Sequence, residues 1–308
     1  MAFFNKQKKY AEEVMDRQNG EQAEEKVEYS SYYKDSMKRF RKNKPAMFCA
    51  VVIVLLVIIA ILAPVISPYN PTAQDYAAIL QKSSGKHLLG TDEFGRDILS
   101  RILYGTRISL SIGIVAQLLA SIIGITLGSV AGYYGGWVDT VISRVMEIFS
   151  AFPDLLFAMA IMTFMGQGIA NLFVALGLLT WVRTARMIRG SVIQLKEKEY
   201  VEASKASGGT SFWIIVKHLI PNCLSTVIVL VTLGIPNAIM YEASLSYLGL
   251  GIQLPTPSWG NMISAAQNYI GFVPTYSIYP GLAIMITVVA FNIFGDGLRD
   301  ALDPKMRT

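Results

Sequence analysis

Residues 196–222 read "KEKEYVEASKASGGTSFWIIVKHLIPN", and they lie between two long apolar runs. The segment starts charged, passes through small residues and Gly208-Gly209, and becomes an amphipathic stretch that meets Pro221. Residues 199–207 are good helix formers, and the glycine pair interrupts them, since glycine in a helix interior costs about 1 kcal/mol. Thr210 or Ser211 supplies a hydroxyl that caps a second helix by accepting a free backbone N–H. In that helix Phe212, Ile215, Val216 and Leu219 follow i, i+3, i+4, i+7, which predicts an apolar stripe on one face. Pro221 ends or kinks the helix. The pattern predicts a helix, a glycine hinge and an interfacial helix, a ridge that either meets a partner or simply anchors a loop.

The runs on either side set the solvent. Of 308 residues 53% are hydrophobic and 16% charged, against about 25% charged in an average soluble protein. Residues 243–295 contain no Asp, Glu, Lys or Arg. About 20 apolar residues cross a bilayer core as a helix, which predicts an all-α membrane protein with six spans: 46–66, 108–131, 148–165, 169–188, 223–250 and 276–294. The basic residues gather before the first run, around 183–217 and after the last run, so the positive-inside bias places both termini in the cytoplasm. The same bias accounts for the net charge of +5 without nucleic acid. The division expected is a tail over 1–44, the first span and an outer segment over 45–106, a membrane core over 107–300 and a tail over 301–308. Cys49 and Cys223 are far apart and read as packing residues, since two isolated cysteines make neither a disulfide framework nor a metal site.

Charged groups inside the runs need a cavity or a partner. Glu242, beside Tyr241, lies in the outer half of the fifth run. It reads as a pathway residue or as a hydrogen-bonded structural carboxylate. Asp154 is expected to pair with an arginine ending the fourth run. Arg183, Arg186 and Arg189 share a helix face suited to phosphate head groups. Asp97 and Arg101 stand at the i, i+4 spacing of a helix ion pair. No G-x-x-x-x-G-K-[ST] loop is present, so the chain itself carries no P-loop for ATP. H-E-x-x-H and G-x-S-x-G are missing too, and two histidines give no metal cluster.

A resemblance sharpens these readings. Glu202-Ala203-Ser204, Gly208 and His218-Leu219-Ile220-Pro221 resemble the EAA loop of ATP-binding-cassette importer permeases, with departures at Ser204, His218 and Ile220. "LLGTDEFGRDILSRILYGTRISL" (88–110), "YEASLSYLGLGIQLPTPSWGNMI" (241–263) and "FNIFGDGLRDALDP" (291–304) are similar to the second permease subunit of dipeptide, oligopeptide and nickel importers. The resemblance covers about residues 35–308. It implies a type I importer permease fold in a bacterial or archaeal cell membrane. Its partners would be a homologous second permease, two cytoplasmic ATPases that bind ATP and Mg, and an extracytoplasmic substrate-binding protein. It implies no cofactor and no catalysis in this chain. The cargo would be a peptide, with a nickel complex or other peptide-like cargo as the alternative. The loop would couple to the ATPases through Glu199, Tyr200, Glu202, Ala203, Ser204, Ala206, Gly208 and Phe212, with Glu202 holding it by a charge-assisted hydrogen bond. An ATP-independent channel is the rival class, and a membrane-embedded enzyme a third.

Overall fold

The computed structural model describes residues 32–302, and side chains from residue 36. The chain divides into two units after Arg39. Residues 1–31 and 303–308, which hold most of the expected N-terminal tail and Lys305 and Arg307, lie outside the described part. The described residues are helical, with one isolated bridge between Thr91 and Asp97.

Helix α1 (Tyr32–Lys42) precedes α2 (Lys44–Ile66). Asn43 caps α2 by accepting from the Ala46 N–H at 3.1 Å, and Pro45 sits in the first turn, where its missing N–H costs nothing. The 23 residues of α2 reach roughly 34 Å at 1.5 Å per residue, enough to span a bilayer core. Loops over 67–97 then lead to α3 (Ile98–Tyr134), α4 (Gly136–Ser150), α5 (Asp154–Met165) and α6 (Ile169–Leu195). Beyond the 196–222 loop come α9 (Leu224–Tyr247), the short α10 (Trp259–Ala266) and α11 (Thr275–Leu302), where α7 and α8 are the loop helices Glu199–Ala206 and Ser211–Ile214.

Four described helices, α2, α3, α9 and α11, are long and apolar enough to cross a membrane, and α4 with α5 makes five if that bent pair counts as one span. Two of the six expected runs differ from the other four. The run 148–165 is broken: α4 and α5 meet at 90°. Pro153 lacks an N–H and disfavours helical backbone at Phe152, so the apolar composition continues while the helix does not. The run 169–188 lies in the 27-residue α6, whose second half carries Arg183, Arg186 and Arg189. Helix α3 begins at Ile98, ahead of the second span expected from 108, so the expected division at 106/107 falls inside it.

Helix α3 is central, packing along α6 on one side and against α9 and α2 on others. Apolar side chains gain little by leaving lipid, so membrane helices associate through close packing of small residues. Ala116, Ala120, Gly124, Gly128 and Gly132 recur every fourth residue on α3 and are buried. A Cβ on Gly128 would stand 2.5 Å from the Ala185 carbonyl oxygen, and one on Gly124 would stand 2.6 Å from Thr184 Cβ. The two backbones are in contact along this line.

Residues 87–101 form a buried polar knot. Asp92 accepts from Arg96 Nε at 2.5 Å and lies 3.3 Å from Arg101 Nε. Arg96 also donates to Glu93 at 3.1 Å, and the Tyr276 hydroxyl on α11 donates to Glu93 at 2.5 Å. Arg101 donates to the Pro71 carbonyl at 3.0 Å. The expected Asp97–Arg101 pair is not formed. Asp97 is the N-cap of α3, so its carboxylate turns back to the Ser100 N–H at 2.8 Å and meets His87 at 2.9 Å. A capping side chain lies off the helix face that an i, i+4 partner would share.

Candidate functional site

The loop between α6 and α9 is built as two layers. Val201, Ile214, Ile215 and Leu219 are buried with Ile188, Val192, Cys223 and Val227 from the adjoining helix ends. This layer fastens the loop to the membrane helices. The outer layer is open: Glu199, Tyr200, Glu202, Ala203, Ala206, Gly208 and Phe212 are exposed and Ser204 is half-buried. Phe212 is 76% exposed, a large uncovered apolar group. Partial burial, and to a lesser degree Cys223, holds the Tyr200 phenol above its usual range, so it stays neutral.

Local chemistry shapes the joint as expected. Gly208 has φ +81°, a conformation glycine takes readily and other residues do not. Thr210 is the N-cap of α8, accepting from the Trp213 N–H at 3.3 Å. Two expectations are corrected. Glu202 forms no side-chain hydrogen bond among the described residues; it is exposed at the surface of α7. The apolar stripe is also displaced: Phe212 and Val216 are exposed, and Ile214 takes the buried place beside Ile215 and Leu219. The cause is a π-helical turn over Ile215–Leu219, which breaks the 3.6-residue period. His218 on that turn lies against Trp213, with ring centroids 4.6 Å apart.

The second element is a groove along α6 and α9. A cleft of about 620 Å³ is lined by Gln117, Asp154, Thr180, Arg183, Asn237 and Tyr241 among others. A second, of about 450 Å³, continues toward Asn222 and Arg299, and the two share Arg183, Met187, Leu230 and Leu233. On α6 the lining residues Thr180, Arg183, Met187, Ser191 and Gln194 recur at three- and four-residue steps. Thr226, Leu230, Leu233, Asn237 and Tyr241 do the same on α9. Each helix thus presents one partly polar stripe. Gly234 keeps the floor open, because a Cβ there would come within 2.2 Å of the Gln117 carboxamide.

Tyr241 and Glu242, adjacent in sequence, part company in space. Tyr241 faces the cleft, and its hydroxyl donates to Asp154 at 2.6 Å. This replaces the arginine partner expected for Asp154. Glu242, expected as a pathway candidate, is completely buried. Its Oε1 accepts from Ser246 at 2.7 Å and from Ser258 at 2.8 Å. Consecutive helical residues point about 100° apart, so one faces the groove while the other ties α9 to Ser258 at the start of α10. Among the described residues no group of His, Cys, Asp and Glu is suited to a metal.

The family model for the binding-protein-dependent transport system inner membrane component matches residues 124–308. The model for the N-terminal TM domain of oligopeptide transport permease C matches residues 31–82. The chain is 42% identical over 278 residues to the dipeptide transport system permease protein DppC of Alkalihalophilus pseudofirmus, covering 90% of this chain and 91% of that protein. It is 41% identical over 277 residues to the oligopeptide permease OppC of Bacillus subtilis, at 90% and 91% coverage. It is also 41% identical over 277 residues to the glutathione permease GsiD of Pectobacterium atrosepticum, at 90% and 92% coverage. A chain of the MetNI methionine ABC transporter, in an inward-facing conformation, superposes with a TM-score of 0.54 at 20% identity, covering 67% of this chain and 98% of that one. A likeness at that identity speaks for the fold, and the fold is that of a type I importer permease. Matched along nine-tenths of its length by permeases of this kind, the chain belongs to the family of binding-protein-dependent transport system inner membrane components.

Proposed function

We propose that this chain is one of two permease subunits in an ATP-driven peptide importer, and that its α6–α9 groove is half of the translocation pathway. The second half comes from a homologous permease. An extracytoplasmic protein delivers the peptide, and two cytoplasmic ATPases, which bind ATP and Mg, supply the energy. Both termini and the 196–222 loop face the cytoplasm, in keeping with the basic residues at those places. The names of the dipeptide, oligopeptide and glutathione relatives favour short peptides over nickel complexes.

One observation carries the reading: the loop is locked to α6 and α9 by a buried layer while the opposite face, from Glu199 to Phe212, is left open. Such a joint transmits displacement from a docked ATPase into the helices that line the groove. Nucleotide binding does useful work only if it favours one state of the pathway over the other, and a stiff joint provides that preference. A channel without an energy source would have no use for an open, rigidly backed ridge.

The test is purification of the tagged chain with its neighbours, followed by peptide uptake into inside-out and right-side-out vesicles. ATPase subunits should co-purify, and uptake should require ATP on the loop side. ATP-independent flux through a complex lacking ATPases would make the chain a channel. A cysteine at Ser207 that labels from the outside would reverse the orientation.

A further inference from the structure

The groove contains a charge that the fold leaves without a partner. Arg183 lies about 18 Å along α6 from Leu195 at 1.5 Å per residue, and it lines both clefts. The other two arginines of its helix face are engaged: Arg186 donates to Ser150 at 2.8 Å, and Arg189 makes a two-pronged bond to Asp139. Among the described residues Arg183 has no hydrogen bond and no ion pair. A charge at membrane depth faces a cavity or a partner, and here it faces the cleft.

Asp154 stands in the same cleft. Both side chains are exposed to the cleft, and they do not pair with each other. The Tyr241 hydroxyl holds the Asp154 carboxylate at 2.6 Å, tying it to α9 while Arg183 projects from α6. The same cleft is lined by neutral Thr180, Asn237 and Gln117 and by Arg186, which donates to Ser150. A single anion would satisfy Arg183 alone, and a single cation Asp154 alone. A molecule carrying both signs would satisfy both.

We propose that Arg183 and the Asp154–Tyr241 pair form a zwitterion-binding site within the pathway. Arg183 takes a free α-carboxylate through its planar fork, and Asp154 takes a free α-ammonium. The site rests on the reading of the chain as a peptide permease and adds a rule to it. The membrane subunit reads the two ends of the peptide main chain and leaves the side chains to the neutral residues of the lining.

The test uses the assembled transporter in nanodiscs without its binding protein, so that only the permease selects. Asn237→Cys places a thiol on the cleft wall, while the native Cys49 and Cys223 are buried. Free trialanine should slow maleimide labelling about tenfold, the scale of losing or gaining one hydrogen bond to a charged group. N-acetyl-trialanine amide should not slow it. Arg183→Ala should abolish protection by free trialanine, and Arg183→Lys should restore part of it. Equal protection by the blocked peptide overturns the proposal, as does full protection in Arg183→Ala. Loss of the partner permease from Arg183→Ala on size exclusion would make Arg183 an assembly contact instead. Labelling that follows phosphatidylglycerol content and ignores peptide would make it a lipid-phosphate anchor. Uptake of trialanine by the unmodified transporter is scored separately. Uptake with terminus-blind protection removes only this site, whereas absence of uptake removes the peptide reading beneath it.

Discussion

The two polar ends of the molecule are built on opposite plans. In the polar knot Asp92, Arg96 and Arg101 are almost wholly inaccessible, and both arginines pair with Asp92. On the loop side Glu199 and Glu202 stand in the open without partners among the described residues, and Lys205 touches only the Tyr133 ring, 5.6 Å from its Nζ. A buried ionic knot is costly to form and more costly to break halfway, because the abandoned charge stays out of water. An exposed charge contributes little to folding and stays available for another protein. Similar residue types therefore serve permanence at one end and exchange at the other.

The largest effect that would test this contrast is in the knot. Arg101→Ala leaves Asp92 with one fewer partner in a closed site and should cost about 3–5 kcal/mol, seen as a lower thermal midpoint and reduced yield of the assembled complex. A midpoint unchanged by Arg101→Ala would erase the distinction between the two ends. Glu242→Ala comes next, since it removes the acceptor of Ser246 and Ser258. Leaving buried hydroxyls unsatisfied costs about 1–3 kcal/mol. The same readout should show Glu242→Gln closer to the parent, because its carboxamide oxygen still accepts.

Gly208→Asp should destabilise by only about 1–2 kcal/mol, the scale for a side chain forced into left-handed backbone, and nothing within 4 Å blocks its Cβ. Its functional effect should be far larger. Membrane insertion persists while peptide uptake collapses and ATPase retention weakens in pull-down. Normal uptake by this variant would reduce the loop to an anchor. Smallest in stability is Phe212→Ala, expected within about 0.5 kcal/mol of the parent as for ordinary surface changes, yet ATP hydrolysis should lose its dependence on peptide. A drop in melting temperature for Phe212→Ala would mean that its ring is covered within the chain.

How much of this was legible in the sequence follows from how local each cause is. The hinge at Gly208, the cap at Thr210 and the helix before them depend on neighbours a few residues away, and they stand as expected. The break at Pro153 was also local, but the apolar run across it hid a bend that only the backbone reveals. The displaced stripe at Phe212 and Val216 depends on a π turn, which has no composition of its own. The partner of Asp154 is Tyr241, 87 residues on, and no spacing rule reaches that far. The small residues from Ala116 to Gly132 stood in plain view at every fourth position. Their meaning needed the helix that fills the space they leave.

That line of glycines has a mechanical consequence. With Gly124, Gly128 and Gly132 set against α6, α3 puts no side chain of its own between the two helices at these three positions. The pair behaves as a single beam. The buried layer of the loop is bolted to one end of it through Ile188 and Val192. The beam therefore ends at the loop, and a load taken up there would be carried by both members together.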